Sequence, residues 1–150
     1  MKVKSKMKFY VASSFTLIEK VEKVVKALEL AGHTITVKWW DREYHIEGEG
    51  LVNTQVLKKR FNELQQNDFY SKPETKFSFE SDFKGVIEAD VFLFVADDTP
   101  RKYNGANVEL GIALANYKLC LSVGVLENSV LYYPIEKFKE IDEVLDFLRG

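Results

Sequence analysis

Short apolar runs alternate along this chain with segments whose apolar residues recur every three or four positions, and that alternation decides the fold class. Met7 to Ala12 (MKFYVA) reads as a strand, after which Leu17, Val21, Val24 and Leu28 keep helical spacing until Gly32 offers a stop. Thr16 and Glu19 have capping-box spacing, which starts this helix around Phe15 or Thr16 and leaves Ser13 and Ser14 in the turn. Thr34 to Trp40 (TITVKWW), β-branched and aromatic, is the second strand. A Gly-containing loop (HIEGEG), a helix around Val52 to Gln66 and a polar link with Pro73 follow. A short helix from about Phe79 to Glu88 then sets Phe79, Phe83, Val86 and Ile87 on one side, and Asp90 leads into the third strand, VFLFVA. The loop DDTPRKYNG opens a further helix, Lys118 to Val125 is the fourth strand, and Val130 to Tyr133 is a short fifth. Ile135, Phe138, Ile141, Leu145 and Leu148 make the closing helix amphipathic.

Strands separated by helices pair in parallel through right-handed crossovers. The expected fold is a three-layer α/β/α sandwich with a flavodoxin-like parallel sheet of five strands, order 2-1-3-4-5, in one domain over residues 1–150. In that order the first and third strands flank the switch point. Their carboxyl ends feed YVASSF and VADDTPRKYNG, so the polar residues of these loops should converge on a ligand crevice.

Charge and motifs narrow the chemistry. With 21 basic and 23 acidic residues the net charge is -2, so no global basic field draws the protein to large nucleic acids or anionic membranes. Lys2, Lys4, Lys6 and Lys8 form the one basic cluster and read as a solvated leader. Cys120 is the sole cysteine and lies in an apolar run, which excludes an internal disulfide and suits a buried thiol. Neither a signal peptide nor an apolar run of about eighteen residues is present, so a cytoplasmic protein is expected. GxGxxG and GxxxxGK[ST] are missing, and His33 and His45 have no ligand cluster around them, so neither a metal nor a cofactor is expected.

Carboxylates remain. Glu109 follows Gly105 by four residues, in the first turn of its helix, with Ile112 and Ala113 on the neighbouring surface. Two roles are open to it: complementing the helix dipole, or serving as a partly desolvated nucleophile. Asp82 lies on the Phe79 and Val86 side of its helix, near a helix–sheet seam, and either caps or pairs there or takes part in chemistry. Asp97 and Asp98 end the third strand, as turn formers before Pro100 or as ligand contacts. Tyr10, on the first strand, can direct its hydroxyl toward Glu109 or belong to the core.

Three segments in order, FYVASSF, DFKGVIEADVFLFV and GANVELGIALANYK, resemble the nucleoside 2-deoxyribosyltransferase family and its relatives that hydrolyse the N-glycosidic bond of nucleoside monophosphates. The resemblance covers most of the chain and weakens between Asp41 and Phe79. It implies that Glu109 attacks the anomeric carbon to form a glycosyl-enzyme intermediate, that Tyr10 orients Glu109, and that Asp82 contacts sugar hydroxyls or assists protonation of the departing base. Ser13 and Ser14 in the small-residue turn, and Gly105 and Asn107 ahead of the glutamate, become expected substrate contacts, with Asp97 or Asp98 reaching the base. Trp40 is expected to stack on the base and Trp39 to be structural, since they alternate along a strand. The substrate implied is a small nucleoside or nucleotide, and the assembly a homo-oligomer, at least a dimer, in which a neighbouring subunit helps to close each site.

One departure matters. Six positions before the glutamate, where the transferases often carry a base-contacting aspartate and the monophosphate hydrolases a serine, this chain has Tyr103. Neither substrate preference is inherited, although Arg101, Lys102 or Ser14 could meet a 5'-phosphate. Two other readings stand beside this one. VKWWDREY and VADDTP look somewhat like the Toll/interleukin-receptor-like domains that cleave NAD, and Tyr103 would suit a non-catalytic nucleotide-binding module.

Overall fold

The computed structural model describes residues 6–150, so Lys2 and Lys4 of the predicted basic leader lie outside the described residues. At its centre are two apolar strands, β1 (Lys8–Ala12) and β5 (Val91–Val95), paired in parallel from Phe9 against Val91 to Ala12 against Phe94. Every residue of β5 is buried, as expected of a strand covered by helices on both faces. β2 (Thr34–Ile35) adds to the free edge of β1, while β6 (Leu119–Val123) and β7 (Glu136–Phe138) extend the other side. All pairings in this sheet are parallel. Its order is β2-β1-β5-β6-β7, which is the predicted 2-1-3-4-5 once a small hairpin, β3 (Glu43–Ile46) with β4 (Gly50–Asn53), is counted separately.

The helices are α1 (Ile18–Leu30), α2 (Thr54–Asn62), α3 (Gln66–Tyr70), α4 (Pro73–Glu88), α5 (Asn104–Ala115) and α6 (Ile141–Arg149). Val21, Val24, Val25 and Leu28 of α1, Val86 of α4, Leu110 of α5 and Val144 of α6 join the strands in one large core. Tyr44, Val52 and Leu57 form a second, small core under the hairpin. Among the described residues no helix is long and apolar enough to cross a membrane.

Several boundaries differ from the sequence reading, each for a physical reason. The second strand stops after Ile35 and Trp39–Asp41 forms a 3-10 turn, because the Trp39 indole N–H donates to Val11 O at 2.7 Å and so takes the place of a backbone donor along the β1 edge. HIEGEG spans the ends of the two hairpin strands and the turn between them, and Gly48 and Gly50 both have positive φ. The helix assigned to Val52–Gln66 begins at Thr54, because Val52 is buried in β4 and Asn53 caps α2 by accepting from the Val56 N–H. Pro73, expected in a polar link, starts α4, so the helix expected from about Phe79 begins earlier; proline at the first helical position sacrifices no intrahelical bond. The Thr16–Glu19 capping box does not form: Ser14 caps a 3-10 turn over Phe15–Leu17, from which α1 continues. Val130–Tyr132 is also a 3-10 turn. The fifth strand of the main sheet is instead the largely exposed Glu136–Phe138, an edge strand whose place is set by backbone pairing with β6, and a Glu140–Glu143 capping box starts α6 only at Ile141.

Candidate active site

Where the strand order reverses, between β1 and β5, the carboxyl ends of the strands open onto a cavity of about 610 Å³. One wall is the β1–α1 turn with Ser13, Ser14 and Phe15; a second is the loop and first turns of α5 from Lys102 to Glu109. Ser78 and Asp82 come from α4, and Trp39, Arg42 and Tyr44 from the segment between β2 and β4. The roof is α2 and α3, which supply Leu57, Lys58, Phe61, Asn62 and Phe69.

Glu109 stands where β1, α4 and α5 meet. Ala106, Leu110 and Ala113 are the buried face of α5, and Glu109 flanks that face three residues after Ala106, so its side chain reaches the cavity rather than bulk water. The helix starts at Asn104, with Tyr103 as the preceding cap residue, so Glu109 sits in the second turn and not, as expected, in the first. The dipole contribution fades beyond the first turn, which leaves desolvation as the dominant influence on this carboxylate. Tyr10, fully buried on β1 and stacked on Phe92 with ring centroids 6.0 Å apart, donates its hydroxyl to Glu109 Oε2 at 2.5 Å. Burial pushes the Glu109 pKa from its ordinary 4.5 up to about 7; the Tyr10 hydrogen bond and Arg42 pull it down, and Asp82 pushes it up. The Tyr10 hydroxyl itself is held well above its ordinary pKa, first by burial and then by the Glu109 charge, so it stays a donor.

Asp82 faces the same cavity. Burial raises its pKa and Arg42 opposes that rise, through an ion pair of 2.5 Å from Arg42 Nη2 to Asp82 Oδ1. The predicted stripe on this helix is corrected by the structure: Phe79 and Phe83 are 63% and 44% exposed, and the inward face carries Ser78, Asp82, Gly85 and Val86. A polar and small-residue face lets α4 lie close to β1, and Gly85 has no room for a side chain. A Cβ there would meet Val37 Cγ2 at 2.4 Å and Tyr10 Cδ2 at 3.1 Å.

The structure brings Glu109, Asp82, Ser13, Ser14 and Gly105 to the cavity wall, with Tyr10 behind Glu109. Ser13 Oγ donates to Val95 O at 2.6 Å, tying the first loop to β5. Other expected contacts lie elsewhere. Trp39 lines the cavity and Trp40 does not, because the 3-10 turn replaces strand alternation at this pair. Asp97 is occupied by Arg101 at 2.6 Å and by the Asp98 N–H, which together hold its pKa low, the Asp98 N–H contributing most. The Asp98 side chain is 95% exposed, and Asn107 turns away from the cavity to accept from the Tyr132 hydroxyl at 2.7 Å. Tyr103 packs edge-on against Phe94, and its hydroxyl accepts the Asp97 N–H at 2.8 Å. Tyr103 lines the cavity while its hydroxyl is already engaged.

Sequence reasoning missed Arg42, Tyr44, Ser78 and the α2 contribution. Arg42 and Tyr44 are two apart, the spacing of one strand face, which was a usable signal in a segment that otherwise lacks clear periodicity. Lys58 holds its ammonium 3.7 Å from the Phe15 ring centroid and bridges the roof to the first loop; burial lowers its pKa. Among the described residues no group of three or more His, Cys, Asp or Glu side chains could hold a metal ion.

Comparison with solved structures gives a counterpart for most of the chain. A 2-deoxyribosyltransferase from the psychrotolerant bacterium Bacillus psychrosaccharolyticus superposes with a TM-score of 0.56 at 18% identity, over 91% of this chain and 89% of that one. The chain has the fold of a 2-deoxyribosyltransferase. A CMP N-glycosidase of Clostridium botulinum is also similar, with a TM-score of 0.49 and 16% identity over 94% of this chain and 97% of that one. No protein-family model matches the sequence, and no curated protein matches it.

Proposed function

We propose that this protein cleaves or transfers the N-glycosidic bond of a (deoxy)nucleoside or nucleoside monophosphate, with Glu109 as nucleophile and Tyr10 and Asp82 as its partners. The observation that carries the reading is the 2.5 Å bond from a buried tyrosine to a glutamate whose pKa is raised to about 7, at the switch-point cavity. A carboxylate in that state is ionised in a substantial fraction at neutral pH yet poorly solvated, which favours attack on carbon. The fold shared with a 2-deoxyribosyltransferase supports the same chemistry.

In the proposed reaction Tyr10 fixes Oε2, and the other carboxylate oxygen of Glu109 bonds to the anomeric carbon while the bond from that carbon to the base nitrogen breaks. The electron pair leaves with the base, which takes up a proton. Water or a second base then attacks the same carbon, the ester bond to Glu109 breaks, and the carboxylate is restored; two displacements retain configuration. Asp82 serves the sugar hydroxyls or the departing base. A homo-oligomer acting in the cytoplasm accompanies this reading, and a monomer in sedimentation velocity would remove the first of those two.

The test is a panel of deoxynucleosides, ribonucleosides, their monophosphates and NAD, with and without a free acceptor base, read as released base by chromatography. Release that is lost in Glu109→Gln supports the proposal. Inactivity across the panel, or undiminished activity in the variant, refutes it; nicotinamide from NAD as the sole product transfers the chemistry to another substrate class, and tight nucleotide binding without turnover points to a binding module.

A further inference from the structure

Arg42 takes no chemical step in that mechanism, although its charge lowers the Glu109 pKa, and its side chain is only 11% exposed. Thr54 clamps its backbone, accepting the Arg42 N–H at 3.0 Å and donating its own hydroxyl and N–H to Arg42 O, each at 2.8 Å. Beyond the 2.5 Å bond to Asp82, Arg42 Nη1 donates to the Tyr44 hydroxyl at 3.1 Å, which shares a 2.5 Å hydrogen bond with Ser78 Oγ. The guanidinium carbon lies 5.7 Å from the Phe77 ring centroid. Ser78 and Asp82 are one turn apart on α4, so the arginine holds one of these two side chains directly and the other through Tyr44.

The contact with Asp82 uses a single carboxylate oxygen. Oδ2 has no hydrogen-bond partner among the described residues, and Asp82 lines the cavity. An ionised carboxylate can only accept hydrogen bonds, whereas a protonated one can give its proton away. Burial favours the protonated form of Asp82, and Arg42 is the group that opposes it. The other charged or titratable groups acting around this pair are Tyr44 beside Arg42, and Tyr10 and Glu109 across the site.

We propose that Arg42 is a positioning residue that keeps Asp82 an anionic acceptor for the sugar hydroxyl groups, so that Asp82 does not protonate the departing base. The inference rests on the glycosidic reading above. The proton then comes from water in the cavity. As the bond from the anomeric carbon to the base nitrogen breaks, the nitrogen takes a proton from a water molecule, and the hydroxide left behind attacks the anomeric carbon and releases Glu109. The sum is one water consumed, one free base and one free sugar.

The experiment compares hydrolysis of a neutral-base deoxynucleoside with that of its base-methylated, cationic counterpart, whose base departs without needing a proton. It uses wild type, Asp82→Asn, Arg42→Met, Arg42→Lys and the Asp82→Asn/Arg42→Met double variant. Asp82→Asn should lower kcat/KM about 10- to 100-fold, by a similar factor for both substrates, mainly through KM. Arg42→Met should cost about as much in the wild-type background and little in the Asp82→Asn background, with Arg42→Lys recovering part of the loss because it keeps the charge without the fork. A loss in Asp82→Asn confined to the neutral-base substrate would make Asp82 the proton donor and overturn the inference. Equal losses from Arg42→Met with and without Asp82 would also overturn it, since Arg42 would then act independently. If Arg42→Met does not fold, Asp82→Asn and Arg42→Lys still decide. A wild-type protein that releases no base from either substrate removes the glycosidic reading, and the inference with it.

Discussion

Glu109 is an ionisable group that folding makes harder to ionise, and this has a measurable consequence for stability. Its pKa rises from 4.5 to about 7, a difference of about 2.5, which corresponds to about 3 kcal/mol between the two protonation states. The sign follows from proton counting. A carboxyl whose folded pKa is above its unfolded value binds more protons in the folded state between those two values, so the stability it contributes is present below pH 4.5 and is lost as pH rises through about 7. Glu109→Gln removes the titration while keeping the shape and an oxygen to accept the Tyr10 hydroxyl. Urea unfolding of both proteins at a series of pH values should therefore give similar stabilities near pH 4, with the variant ahead by about 3 kcal/mol at pH 8. Activity should move the other way, with base release falling on the order of 10⁴-fold or more. A stability difference that does not change with pH would refute the desolvation account. A variant that becomes less stable than wild type as pH rises would reverse its sign.

Three further substitutions probe the supports of the site. Tyr10→Phe removes the bond that lowers the Glu109 pKa, so the acidic limb of the kcat/KM profile should move to higher pH; an unmoved limb would mean that the hydroxyl does not act on Glu109. Tyr103→Phe takes away the acceptor of the Asp97 N–H and should lower stability by about 1–3 kcal/mol in chemical denaturation while leaving KM for a deoxynucleoside unchanged, and a KM effect without a stability effect would make Tyr103 a substrate contact instead. Gly85→Ala drives a methyl to 2.4 Å from Val37 Cγ2, and the overpacking should cost about 1–3 kcal/mol, more than the gain of up to about 1 kcal/mol in helix propensity; a more stable variant would show that α4 has room to move off β1.

What could be read from the sequence follows from where the energy of each element comes from. β1 and β5 advertise themselves because they are apolar on both faces, and once helices separate them the parallel order and its switch point follow. The Tyr10–Glu109 pairing was an expectation on that frame, and the two side chains do meet. β7 escaped because an edge strand needs backbone partners and little apolar content. Trp39 and Trp40 misled because a tryptophan N–H bonded to Val11 O ends the strand, an event to which β propensity is blind. α4 misled in the opposite way: its phenylalanines suggest a buried stripe, while its inward face carries Ser78, Asp82 and Gly85 and keeps Val86 of that stripe. Arg42 went unnoticed because nothing local distinguishes it; its importance comes from Asp82, forty positions away in the chain, and from Thr54 across the hairpin.

The central claim is that Glu109 becomes covalently attached to the sugar. Incubation with a 2'-fluoro-2'-deoxynucleoside or its monophosphate slows both displacements, because the fluorine destabilises the positive charge that develops at the anomeric carbon. Whole-protein mass spectrometry followed by peptide mapping should show a mass increase equal to the fluorinated glycosyl group on the peptide that contains Glu109, and none in Glu109→Gln. Base released from this analogue with no adduct, or an adduct on any other residue, would contradict the assignment of Glu109 as the nucleophile.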